Sequence, residues 1–473
     1  MNRYLIVSDL HLCDVEDHAD GWKDYKSSRY LFDEALRGLV QDAVHRRPQG
    51  ASFTLVLNGD VFDFDLVTAV PDPPPWPVSR PERKRGLDPT PEKSAWKMGR
   101  ILDDHGVFVD LLADLVRSGH RVVFVLGNHD RELHFPEVRR VLVERLRERI
   151  EASGDTMDDS RVLFEPWFFL VPGEVYAEHG NQYDYYSSFR NVLCPTVRLD
   201  REVRIALPMG NLSNRHLLSR MGFFNPHASD FILNLFAYLW HWLRFYAFSR
   251  RSLVGPWLWG SLVVMGRLLR VRAALQRQTP DCEALLDQEG TRKGLPREVI
   301  RALHRLHLPP ITGRFFRIVR EFWVDRLLIA VVMIGGTVTL ALVPIPLWIK
   351  LMVPLTAFPL AFFLYESLVR GEDIFTAERR MPERAREVAR IVPVRLVTFG
   401  HSHVPLLVPL ARGVVYGNSG TWAPIPERWR GPLREGYRDF LLVDIGDNEA
   451  RVMLDSGLEL RRSGTTGEGE EGP

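Results

Sequence analysis

Five times along this chain a short apolar run gives way to a cluster of Asp, Asn and His. The runs "YLIV", "FTLVLN" and "RVVFVLGN" are rich in β-branched residues, end in turn-forming residues and have the length of buried strands. Helix-like periodicity over residues 29–46 and 101–117 alternates with them, so a layered α/β domain is expected. Further strand-like segments, "VRLVTFGHSH", "GVVYGNSG" and "FLLVDI", come near the C-terminus and look like the rest of the same sheet. A chain built this way must leave its first domain and come back to finish it.

What separates the two parts constrains it further. Residues 327–365 carry one charge, Lys350, in 39 positions. Two stretches, 327–343 and 347–365, are near the lower end of the ~17–25 residues that cross a bilayer, and Pro344 and Pro346 mark a turn between them. An excursion across a membrane has to be even in number if both ends are to meet on one side, and two crossings is the simplest count. Arg314, Arg317, Arg320 and Arg326 precede the pair, and Arg370, Arg379, Arg380 and Arg384 follow it. The positive-inside rule therefore puts both ends, and the α/β domain, on the cytoplasmic side of the inner membrane. A helical cap, or a hairpin lying in the interface, is the alternative. Upstream, "FILNLFAYLWHWLRFYAF" and "SLVVMGRLLRVRAAL" mix aromatics with Arg and suit helices at a membrane surface.

The expected organisation is a first α/β part over 1–192, a helical insertion over 193–390 with its hairpin at 327–365, a second α/β part over 391–460 and a disordered tail over 461–473. Residues 71–93, dense in Pro and charge, are expected as an extended surface loop. Cys13, Cys194 and Cys282 form no CxxC, which excludes a thiolate zinc site and fits a reducing compartment. The four apolar residues before Ser8 are too short for a signal peptide. A net charge of +1 gives no general reason to expect nucleic acid.

The polar clusters are "SDLHL" (Asp9, His11), "NGDVFD" (Asp60, Asp63), "GNHD" (Asn128, His129, Asp130), "EHGNQYD" (His179) and "GHSH" (His401, His403). Singly, each is a common turn or capping pattern. Together, at the ends of strands where α/β sheets bind ligands, they supply enough donors for two metal ions. Asp-x-His and His-x-His place both side chains on one strand face, or a turn brings them together. Carboxylate, imidazole and amide oxygen without thiolate suit Mn²⁺, Fe or Zn²⁺, with Mn²⁺ the first expectation. Paired ions can hold a phosphoryl group and acidify a water, so hydrolysis of a phosphate ester or anhydride is implied.

In this order the five motifs resemble the calcineurin-like metallophosphoesterase superfamily over roughly residues 1–190 and 390–460. The resemblance implies a sandwich of two mixed β-sheets flanked by helices with a dinuclear centre at one end. It further implies that Asp9, His11 and His403 hold one ion and Asn128, His179 and His401 the other, with Asp60 bridging. His129 then contacts the phosphoryl group and protonates the leaving oxygen, Asp63 orients it, and Asp130 secures the loop. Within the superfamily, "SDLHL", "GDVFDF" and "HGNQYD" are most similar to the UDP-2,3-diacylglucosamine diphosphatase branch, which cleaves a pyrophosphate in a lipid A precursor. That branch usually has Arg at the position of His129 and a far shorter cap. The expected function is hydrolysis of a phosphate or pyrophosphate in a lipid-linked substrate. The rivals are a hydrolase of soluble nucleotides, a nuclease, and a non-catalytic membrane scaffold.

Overall fold

The computed structural model describes residues 1–220, 222, 243, 254–277, 282–322, 324–369, 375–410, 413–426, 433–434, 438–446 and 450–456. Most of the aromatic segment 231–248, Arg370 and the acidic tail lie outside the described residues.

Strands β1 (Asn2–Val7), β2 (Ser52–Asn58), β3 (Arg121–Val125) and β4 (Val162–Glu165) run parallel in one sheet. The second sheet contains β5 (Phe168–Val171), β6 (Val175–Glu178), β9 (Leu396–Thr398), β10 (Pro405–Pro409) and β11 (Val415–Ser419), in the order β10-β11-β9-β6-β5. Two more strands, β14 (Asp439–Ile445) and β15 (Ala450–Ser456), extend the first sheet antiparallel, to give the order β15-β14-β1-β2-β3-β4. A small ladder of β12 (Ile425–Pro426) and β13 (Leu433–Arg434) stands apart. The chain returns, but not all to the expected sheet: "FLLVDI" joins the first as β14, whereas "VRLVTFGHSH" and "GVVYGNSG" supply β9 and β11 of the second, where β9 lies parallel to β6 and pairs Tyr176 with Val397 and Ala177 with Thr398.

Alternation along the strands explains why there are two sheets. Tyr4, Ile6, Val56, Val123 and Val125 face Phe169, Val175, Ala177 and Leu396 between the sheets. Their neighbours Leu5, Val7, Leu55, Leu57, Val122 and Phe124 face the other way, onto helices. Those helices are α1 (Asp33–His45), α3 (Pro91–Asp104), α4 (Gly106–Arg117) and α5 (Pro136–Ala152). The far side of the second sheet, with Phe168, Tyr176, Val397 and Tyr416, packs on Met381, Ala385 and Val388 of the helix Phe375–Ile391. A period of two with both faces apolar is what a buried sheet requires.

Three local readings change. The helix read over 101–117 is two helices, broken at His105, whose Nδ1 lies 3.0 Å from Asp33 and whose Nε2 lies 3.0 Å from the Cys13 carbonyl. The tertiary bonds of one buried imidazole override the local helical pattern. Residues 71–93 are not simply extended: α2 (Arg80–Arg85) begins at Ser79 with a capping box in which Glu82 closes back on the Ser79 amide. Ser-x-x-Glu with a following Pro satisfies two amides that would otherwise lack acceptors. Glu82 is itself buried, 2.6 Å from Lys93. The insertion, finally, opens with a β-hairpin, β7 (Thr196–Leu199) and β8 (Glu202–Ile205), before any helix. Its turn residues Asp200 and Arg201 have φ of 51° and 70°, the paired left-handed conformations of a tight two-residue hairpin.

After the hairpin come α6 (Met209–His216) and a long helix, α7 (Val254–Arg277), which packs on it through Val264 and Leu268. The apolar stretch is a pair of helices, α11 (Val324–Leu342) and α12 (Leu347–Val369). Both are long and apolar enough to cross a membrane, with mean hydropathy 1.8, and neither is buried against protein. At the open end of the pair Arg326 Nε lies 2.5 Å from Glu366 Oε1, and the Tyr365 hydroxyl donates to Asp325.

Candidate metal centre

Parallel strands deliver their carboxyl ends to one edge, and the loops leaving β1, β2 and β3 carry Asp9, His11, Asp60, Asp63, Asn128 and His129. His179 follows β6, and His401 and His403 follow β9, its neighbour in the second sheet. The site therefore straddles the mouth of the sandwich, and its two halves come from residues some 220 positions apart.

The loops are laced to one another. The Asp9 amide donates to the Gly59 carbonyl at 3.0 Å and the His11 amide to the Asp60 carbonyl at 2.9 Å. Further across, the His129 amide donates to Asp60 Oδ1 at 2.7 Å, and the His401 amide to the Asp9 carboxylate at 3.0 Å. Asp130 accepts from the Val61 amide at 2.9 Å and the Gly127 amide at 2.6 Å, tying the second and third loops together.

The ligating geometry comes from strained backbone, not from strand pleat. Among the described residues nine non-glycine positions have positive φ, and Asp9, His11, Asp60, His401 and His403 are five of them. Each such conformation costs about 1–3 kcal/mol and persists only where surrounding structure enforces it, most often at functional sites. Asp9 and His11, two left-handed residues flanking one ordinary residue, converge on one group of donors, whereas His401 and His403, flanking Ser402 in the same way, are divided between two.

Among the described residues four groups have donor atoms within 4.8 Å of one another: Asp9, His11 and His403 form the first; Asp60, His179 and His401 the second; His11, Asp60 and His129 the third; and Asp63, Asp65 and His129 the fourth. His11 Nε2 is 3.2 Å from His403 Nε2, and Asp9 Oδ1 is 3.2 Å from the latter. In the second cluster His179 Nε2 lies 3.0 Å from Asp60 Oδ2. His179 Nδ1, 3.1 Å from the Asn58 carbonyl, must carry that ring's proton there, which leaves Nε2 as the donor of an electron pair. Asn128 Oδ1, on the loop after β3, is buried without a hydrogen-bond partner.

Electrostatics agree. Burial would raise the carboxyls of Asp9 and Asp60, but His403 and His179 hold the first below its usual range, and His179 and His129 hold the second well below. Burial likewise opposes charge on His179, yet Asp60 pushes it up to about 9. Carboxylates this buried draw cationic partners towards themselves. Divalent cations answer the same demand while using the imidazole electron pairs, so the residues present fit metal ions.

His129 belongs to the third and fourth groups, its ring centroid 5.1 Å from that of His11. Its Nδ1 is 3.3 Å from both Asp63 Oδ2 and Asp65 Oδ2. Burial disfavours its imidazolium, but Asp63 and Asp60 raise its pKa well above the ordinary value. A buried, charged imidazole beside a metal cluster is placed to donate a proton or to bind a phosphoryl oxygen.

Sequence reasoning missed four neighbours. Asp184, the last residue of "EHGNQYD", lies 3.1 Å from His401 Nε2. Asp65 was visible two residues beyond Asp63. Asn211 and Asn214 of α6 had no motif to mark them, yet Asn211 Nδ2 donates to Asp65 Oδ2 at 2.6 Å and Asn214 Nδ2 is 3.4 Å from His129 Nε2. Of the remaining histidines, His134 packs edge-on to Phe135, and His18 lies at the surface beside Glu16. His120 packs edge-on to Phe53.

Close packing makes Gly127 a sensitive position. A Cβ there would lie 2.2 Å from Asp60 Oδ1 and 2.5 Å from its amide nitrogen. Gly127→Ala should therefore displace the Asp60 carboxylate and lower kcat by about 10²-fold, the scale of a 1 Å misplacement. Kinetics on the purified variant check this, with metal content measured alongside.

Residues 3–207 match the family model for calcineurin-like phosphoesterase. The chain thus carries a calcineurin-like metallophosphoesterase domain and is a metal-dependent phosphoesterase hydrolase. The match ends before His401 and His403, which the fold brings to the same site. No curated protein matches the chain.

Proposed function

We propose that this hydrolase works at a membrane surface on a phosphate ester or pyrophosphate in a lipid-linked substrate, using two divalent ions. In this reading Asp9, His11 and His403 hold one ion, Asn128, His179 and His401 the other, and Asp60 bridges them. When bound, the ions polarise the phosphoryl group and make a water acidic enough to attack at neutral pH. The chain's own residues do the rest: Asp63 and Asp65 keep His129 protonated and oriented, and His129 gives its proton to the leaving oxygen. The donor set without thiolate suits Mn²⁺, Fe or Zn²⁺ without selecting among them, and Mn²⁺ is taken as the first to test.

The observation that carries the membrane part is where the exposed apolar helices are attached. A short helix just before α11, Phe315–Glu321, sits on the segment that follows His179. Tyr186 donates to Glu321 Oε2 at 2.7 Å, the Arg317 guanidinium lies 4.2 Å over the Tyr185 ring, and the Ile311 amide donates to the Tyr185 carbonyl at 3.2 Å. A hairpin spanning the bilayer from this base would hold the metal centre close to the lipid surface. Arginines beside the outer ends of both helices favour the cytoplasmic face. The motif resemblance to the UDP-diacylglucosamine diphosphatase branch points the same way.

The test is turnover by the full chain in detergent with Mn²⁺. A lipid-linked pyrophosphate such as UDP-diacylglucosamine, other phospholipids, soluble nucleotides and nucleic acid would be compared in mixed micelles. Preferential turnover of a lipid-linked substrate is expected. Fast turnover of soluble nucleotides alone, or full recovery in the soluble fraction without detergent, would overturn the lipid and membrane parts respectively.

A further inference from the structure

We infer that Asn211, a residue of the insertion, sets the orientation of the Asn128 carboxamide and so determines that an oxygen faces the second metal ion. The inference rests on the assignment of Asn128 to that ion.

An amide side chain can ligate a hard or borderline cation through its oxygen and not through its NH₂ group, so which way Asn128 points decides whether it is a ligand at all. The network around α6 settles the direction without reference to any metal. Asn211 is fully buried, and one of its terminal atoms lies 2.6 Å from Asp65 Oδ2 and 3.0 Å from the Asn128 backbone carbonyl. Next to a backbone carbonyl, which can only accept, that atom has to be the nitrogen, and it donates to Asp65 Oδ2 as well. The other terminal atom of Asn211 is then the oxygen. It lies 3.3 Å from the Asn128 side chain and accepts a hydrogen bond from Asn128 Nδ2. What remains of Asn128 is Oδ1, buried and without a protein partner.

Polarity thus passes in three steps, from Asp65 to Asn211 to Asn128, and ends in an oxygen that needs a partner. An unsatisfied buried acceptor costs about 1–3 kcal/mol, a cost a cation removes. Asp65 also lies 3.3 Å from His129 Nδ1, so one insertion residue steadies both a ligand of the second ion and the proton donor. The insertion is therefore part of the centre and not only a tether, and the five motifs alone do not complete the site. Asn211 is a positioning residue: no contact with substrate or ion is assigned to it.

Two variants separate this role from simple packing. Asn211→Ala removes both donors and the acceptor; the near-isosteric Asn211→Leu keeps the volume but likewise removes the acceptor that holds Asn128 Nδ2, with no charge set against Asp65. Manganese binding would be followed by calorimetry and by electron paramagnetic resonance on the full chain in detergent, with the melting temperature of the metal-free protein measured in parallel. The wild type should bind two ions and give the exchange-coupled signal of a pair. Both variants should bind the second ion 10–100-fold more weakly, the range for outer-shell partners of metal ligands. At low Mn²⁺ the pair signal should give way to that of a single ion, and kcat should recover as Mn²⁺ rises, while KM moves less than about threefold. Two ions bound at unchanged affinity with an intact pair signal, in either folded variant, would overturn the inference. A wild type that binds fewer than two ions would instead overturn the metal assignment on which it rests.

Discussion

Replacing Asp60 by Asn should lower turnover by more than ~10³-fold without unfolding the protein. Asp60 is the carboxylate shared by both halves of the site: Oδ1 accepts from the His129 amide, and Oδ2 lies 3.0 Å from His179 Nε2. It is held at φ 50° and fully buried. Asparagine keeps the shape but removes the charge with which Asp60 would hold and bridge the proposed ions. Lewis-acid stabilisation by bound ions is worth several kcal/mol, and each 1.36 kcal/mol is tenfold in rate, so ~10³ is a lower bound. The metal-free protein should stay folded but melt below the wild type at neutral pH, because the Asp60 carboxylate is held well below its usual range by His179 and His129, and its loss leaves those buried imidazoles without their charge partner. Metal content, kcat and melting temperature of the same preparation check all three statements. A variant that retains metal and rate would remove Asp60 from the centre.

His129→Gln should act differently, with metal content intact and kcat reduced by about 10²–10⁴-fold, the contribution of a positioned general acid. Its side chain is fixed by Asp63 and Asp65, and the two groups Asp9, His11, His403 and Asp60, His179, His401 are complete without it. The loss should depend on the leaving group. A substrate that releases a nitrophenolate needs little protonation and should show a small effect, whereas an alkyl ester or a sugar phosphate should show the full one. Equal losses for both leaving groups would leave His129 a role in binding the phosphoryl group and none in proton transfer.

Much of this was legible in the sequence because apolar runs and polar clusters follow each other so regularly. The strand runs "YLIV", "FTLVLN" and "RVVFVLGN" lie within or begin at β1, β2 and β3, and the return of the chain to place β9 beside β6 followed from His179 and His401 belonging to one cluster. Both apolar helices begin and end within a few residues of the expected positions. What stayed hidden depends on tertiary partners. His105 breaks a helix because Asp33 and the Cys13 carbonyl meet its ring, and neither is near it in sequence. Left-handed φ at Asp9, His11, Asp60, His401 and His403 is imposed by neighbouring loops; Asp and His do not announce it. Asn211 carries no local signal, since its importance lies in Asp65 and Asn128 on the far side of the fold.

A dinuclear centre is tested most directly by the number of ions the full chain holds when it is active. Manganese should be titrated into metal-free protein in detergent while hydrolysis of a phosphate ester is followed, with bound metal counted at each point. Turnover rising to its limit only as the second equivalent binds, and abolished by chelation, is the predicted result. Full turnover in the presence of a chelator, or a limit reached with one ion bound, would contradict a dinuclear centre built from the two halves of this chain.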